Sequence, residues 1–91
     1  MMNQPPTIEA LIPNSERPDS YLVHNETGEL PAMPHDPEYR THEGTLHELA
    51  RRATGLPLGV DVRQPATNGV MRYQTKPVTP DNIRSPYSWS D

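Results

Sequence analysis

The most chemically suggestive stretch in the chain is His42-Glu43-Gly44-Thr45-Leu46-His47. A zinc-binding protease helix uses His-Glu-x-x-His, because histidines at i and i+4 share a face and can chelate one ion. Here the histidines are five apart, which sets them about 140° apart around a helix. The motif fails on geometry. A looser metal site drawn from His35, Asp36, His42 and His47 would need loops to converge, and solvent-facing or interface histidines are the simpler reading. The glycines (Gly28, Gly44, Gly55, Gly59 and Gly69) are dispersed, so no phosphate-cradling loop is present in the sequence. Ser15, Ser20, Ser85, Ser88 and Ser90 stand in no nucleophile-elbow context. No catalytic, cofactor-binding or metal-ligating residue is assigned, and the chain reads as non-enzymatic.

The element that must position any such residues is a helix over about 45–54. Thr45 followed by Glu48 has the form of a capping box, in which each side chain bonds the other residue's backbone N–H. Leu46, Leu49, Ala50 and Ala53 recur at i, i+3, i+4 and i+7 and so share one face. Arg51 and Arg52 suit the negative end of the helix dipole. Gly55 takes the C′ position, and Pro57 follows where a helix has stopped. An isolated helix shorter than ~12–15 residues is marginal in water, so this one must pack on something.

Composition limits what that something is. The chain has 91 residues, of which 12 are proline, against a usual ~5%. Leucine, isoleucine and valine together number 15, and phenylalanine and cysteine are absent. Without cysteine there is no disulfide and no thiolate metal site. The chain is therefore expected to be mostly irregular and extended, with one short helix, a possible β-hairpin over about 58–75 and little hydrophobic core of its own. It reads as one chain without separate domains: an acidic proline-rich arm (1–37), a helical segment (38–56), a possible hairpin (57–76) and an aromatic-ended tail (77–91).

Several local signals fill in this picture. Ile8, Ala10, Leu11 and Ile12 form an apolar cluster that suits a helical turn or a short strand pressed on a neighbour. Tyr21-Leu22-Val23 and Glu29-Leu30, separated by Thr27-Gly28, suggest a small hairpin. Pro31, Pro34 and Pro37 fall at every third position, the repeat of a polyproline II spacer. Leu58, Val60 and Val62 alternate with Gly59, Asp61 and Arg63, while Met71, Tyr73 and Thr75 share a face of a returning strand. The loop between them carries Pro65. Tyr87 and Trp89 end the chain as an aromatic anchor, since such residues bury much area at little entropic cost.

Charge is asymmetric. Residues 1–38 carry seven acids and one base, Arg17, whereas residues 39–91 carry five acids and seven bases. The pI near 5.5 argues against a dedicated nucleic-acid module. Incidental contact with nucleic acid through Arg51, Arg52, Arg63, Arg72 and Lys76 is the residual expectation. No apolar run reaches the ~18 residues of a membrane span, so no membrane partner is expected. The N-terminus lacks a signal-peptide pattern, which points to the cytoplasm or to a particle assembled there.

The functional expectation is a structural or accessory protein ordered by draping over, or threading between, larger protein subunits of an assembly. A minor capsid, cement or scaffold component of a viral particle is its concrete form. Its partner-binding anchors would be Ile8, Leu11, Ile12, Leu46, Leu49, Ala50, Ala53, Val60, Val62, Met71, Tyr73, Tyr87 and Trp89. The alternative is a small adaptor or inhibitor that folds on one partner through the Pro31–Pro37 segment or the helix.

Overall fold

A computed structural model describes residues 5–64 and 67–90. Strand β1 (Thr7–Leu11) lies near the middle of the sheet and explains the apolar cluster at the start of the chain. Its residues alternate strictly: Ile8 and Ala10 are fully buried, while Thr7, Glu9 and Leu11 point to the other face. On one side β1 pairs antiparallel with β3 (Ala32–Pro34), Ile8 facing Met33. On the other it runs parallel to β5 (Val70–Thr75), with Ile8 opposite Met71 and Ala10 opposite Tyr73. β5 pairs antiparallel with β4 (Val60–Arg63), completing a sheet of order β3-β1-β5-β4.

The helix α1 (His42–Thr54) lies in the connection between β1 and β5 and packs on the inner face of the sheet. Leu46, Leu49, Ala50 and Ala53 are all 2% exposed or less, so the stripe read at 3.6-residue spacing is the packed face. They meet Ile8, Ala10 and Tyr73 from the sheet in one core, with Ile12, Leu22 and Val78 extending it. A second, two-stranded sheet joins β2 (Leu22–His24) to β6 (Tyr87–Trp89), and Leu22 N–H donates to Ile12 O at 3.0 Å, tying it to the end of β1.

This architecture corrects the expected extended chain without a core. The radius of gyration is 12.7 Å, against about 12 Å for a compact chain of this length and about 30 Å unfolded. Two physical reasons separate the expectation from the structure. Counting only large aliphatic residues misses the small and semi-polar groups that fill this interior: Ala10, Ala50, Ala53, Thr45, Thr75, Ser20 and Pro31 are all enclosed. The prolines also fall where no ladder donor is needed. Pro34 sits on the edge strand β3, Pro13 accepts from Val78 N–H at 2.9 Å through its carbonyl, and Pro86 accepts from Asn25 N–H at 2.8 Å.

Local boundaries are corrected too. The helix starts three residues earlier than expected, capped by Thr41, whose hydroxyl accepts from Gly44 N–H at 3.1 Å. Thr45 is therefore inside the first turns rather than at the cap, and Glu48 turns to Arg51 and Arg52 instead of back to Thr45. The Pro31–Pro37 segment is not a free spacer, since Ala32–Pro34 is a sheet strand. The hairpin expected over Tyr21–Leu30 is replaced by a turn, with His24 N–H donating to Glu29 O at 2.8 Å, while β2 pairs with the C-terminal strand instead. β4 and β5 do pair as a hairpin, as the outer half of a larger sheet and with a bulge between Val60 and Val62. Pro65 of their loop lies outside the described residues. No helix among the described residues is long and apolar enough to cross a membrane.

Candidate protein-binding face

The alternation that buries Ile8 and Ala10 under the helix sends Thr7, Glu9 and Leu11 to the opposite face of the sheet. Register carries this outward: Glu9 stands beside Ala32 on β3 and Arg72 on β5, and Gln74 stands beside Val62 on β4. The sheet thus has one face closed by α1 and one face open. At its centre Arg72 Nε donates to Glu9 Oε1 at 2.5 Å, a cross-strand pair between directly opposed positions. Around it lie half-buried Leu11, Val70 and Gln74, with Val62 at 45% and Tyr21 at 40% among the exposed large apolar side chains.

Two hollows flank the ion pair. One, of about 350 Å³, is lined by Glu9, Gln64, Thr67, Asn68, Val70 and Arg72. The other, of about 570 Å³, runs along β1 between its open face and a wall made by Tyr21, Gly28, Glu29 and Leu30. Both are shallow and open to solvent. Such a surface offers contact area, backbone-supported rigidity and a fixed pair of opposite charges, which are the ingredients of an interface.

The sequence-derived anchors divide into three groups. Ile8, Ile12, Leu46, Leu49, Ala50, Ala53 and Tyr73 are enclosed by the chain's own residues. Met71, Val60, Tyr87 and Trp89 are half-buried against that same core. Trp89 donates from Nε1 to Pro80 O at 2.8 Å and pairs in register with Leu22, so the aromatic tail is docked on its own chain. Leu11 and Val62 remain, and both lie on the open face. Glu9, Tyr21, Glu29 and Leu30 are absent from the sequence-derived anchors, and Arg72 appears there only as a nucleic-acid contact. The period-two alternation in Thr7–Leu11 is the signal that would have found the first of them.

The chemically suggestive stretch forms the first turns of α1. His42 and His47 both lie on α1, five residues apart on one continuous helix. His35 packs edge-on against His42, ring centroids 4.5 Å apart, and its Nδ1 lies 2.8 Å from Thr45 Oγ1. That hydroxyl–imidazole pair resembles a nucleophile beside a base, and Thr45 is 0% exposed. Among the described residues no three His, Cys, Asp or Glu side chains are placed to hold one metal ion. The candidate nucleic-acid contacts do not converge either. Arg51 and Arg52 join Glu48 on α1, Arg63 joins Glu43, and Arg72 joins Glu9 on the opposite side of the sheet. Lys76 follows β5 and is exposed. Compared with protein-family models, with curated proteins and with solved structures, the chain finds no match.

Proposed function

We propose that this chain is a non-enzymatic accessory protein that docks, already folded, on a larger protein through the open face of its four-stranded sheet. The observation that supports this reading is the parallel pair β1–β5, over whose outer side no helix or strand lies among the described residues. Wholly parallel sheets carry a layer on both faces; in this mixed sheet the central parallel pair has a helix on one face only. Here α1 covers one face, and Leu11, Val62 and Val70 are left around the Glu9–Arg72 pair on the other.

The routes of the two sequence-derived versions are narrowed by the fold. The apolar stripe of α1 is occupied by the chain's own core, and Ala32–Pro34 is held in the sheet. A preformed surface also avoids the ordering entropy that an unfolded strap would spend on binding. The test is site-specific photocrosslinking in the source cell, with a benzophenone amino acid at Gln74 on the open face or at His47 on the outer side of α1. A discrete adduct from position 74 alone, followed by reconstitution of the complex from purified proteins and its loss on Thr7→Arg, is the expected result. Equal adducts from both positions, or a complex indifferent to Thr7→Arg, would overturn the reading.

A further inference from the structure

We infer that the occupant of the groove along β1 is an extended protein segment with aliphatic residues between basic ones. This rests on the open-face reading and specifies its partner. Leu11 and Ala32 on the floor of the groove and Tyr21 and Leu30 on its wall supply the apolar half of its lining, and Thr7, Glu9, Glu29 and Arg72 supply the polar half. Its charged lining is Glu9, Glu29 and Arg72. Glu9 is matched by Arg72, whereas Glu29 is exposed at the rim and has no ion pair among the described residues.

The surroundings carry the same sign. The turns on either side of Tyr21 in the chain bear Glu16, Asp19 and Glu26, none of them ion-paired among the described residues, against the single base Arg17. Of the seven basic residues of the second half, Arg51, Arg52 and Arg63 are committed to Glu48 and Glu43 on the far side of the sheet. An acidic rim over a partly apolar trough selects a segment that offers aliphatic side chains to Leu11, Ala32, Tyr21 and Leu30 and Arg or Lys to the rim. The rim is held by backbone, not by the carboxylate: the Glu29 carbonyl accepts from His24 N–H at 2.8 Å, and its N–H donates to Thr27 Oγ1 at 3.2 Å. Replacing its side chain therefore leaves the wall in place.

The experiment is a titration of the ¹⁵N-labelled chain with a synthetic peptide of alternating Leu and Arg, alongside its Leu–Glu and Gly–Arg counterparts. Amide shifts confined to Leu11, Tyr21, Gly28–Leu30 and Ala32 are expected for the Leu–Arg peptide only. Glu26→Lys with Glu29→Lys should weaken that binding about tenfold, and His47→Ala should leave it unchanged. Equal binding of the Leu–Glu or Gly–Arg peptide, shifts centred on α1, or no binding at all would overturn the inference. If the photocrosslinked partner instead occupies the open face with an acidic segment, the docking reading stands and this specification falls.

Discussion

Nδ1 of His35 and Oγ1 of Thr45 stand 2.8 Å apart, joining the segment after β3 to the first turns of α1. The same hydroxyl accepts from Asp36 N–H at 3.2 Å. One buried oxygen therefore satisfies two groups on the incoming chain and fixes how the helix leaves the sheet. Thr45→Val keeps the shape and deletes the oxygen. Removing one such hydrogen bond between a buried oxygen and half-buried partners costs about 0.5–1.5 kcal/mol. The melting temperature should fall by about 4 °C or more, read by differential scanning calorimetry, with the helical signal of the folded state retained. An unchanged melting temperature would mean that the pair contributes nothing.

The end of the helix makes an independent prediction. Gly55 sits at φ 78°, and its N–H donates to Arg51 O at 2.7 Å. A Cβ built there would lie 2.7 Å from Arg84 Nη2 and 2.8 Å from its Nε. Gly55→Ala therefore meets both the left-handed backbone penalty and a guanidinium that must move. A loss of about 1 kcal/mol or more is expected from the backbone term alone. Arg84→Ala in the same chain should recover only the steric part, so the two changes will be non-additive in chemical denaturation.

Two positions on β1 separate the chain's own core from its proposed interface. Ile8 is 0% exposed beneath α1, whereas Leu11 is half-buried on the open face. Ile8→Ala should cost about 2–5 kcal/mol, a large share of the roughly 5–13 kcal/mol available to a chain of this size. Leu11→Ala should cost clearly less in the same urea titration and should instead weaken partner binding. Equal losses of stability would mean that the open face is covered by the chain itself.

What could be read locally was set by local physics. The stripe Leu46, Leu49, Ala50 and Ala53 and the left-handed Gly55 follow from helix period and termination chemistry, which a few consecutive residues contain. The helix start misled because Thr45-x-x-Glu48 satisfies the capping pattern equally well from inside a helix, while Thr41 caps with Gly44 rather than an acid three residues on. The rest is non-local. Thr7 finds Val70, and Leu22 finds Trp89, across most of the chain. No window of composition records those pairings. The open face is legible only once they are known, because alternation in Thr7–Leu11 says that two faces differ without saying which one the helix takes.

The most distant of these pairings gives the last prediction. Trp89 lies opposite Leu22 and donates to Pro80 O, and Ser20 Oγ donates to Ser90 O at 2.6 Å. Ser90 N–H in turn donates to Tyr21 O at 2.8 Å, and past the other end of β2 Asn25 N–H donates to Pro86 O at 2.8 Å, so the tail is fastened at both ends of β2. Leu22 belongs to the same buried cluster as Leu46 and Leu49. Loss of the tail would open that cluster to water, so the tail and the helix should melt as one cooperative unit. Trp89 is the sole tryptophan, which makes its fluorescence a specific reporter of the tail. Under urea its emission change should coincide with the far-ultraviolet circular dichroism of α1. A fluorescence transition at clearly lower urea would show instead that β6 detaches from an otherwise folded chain.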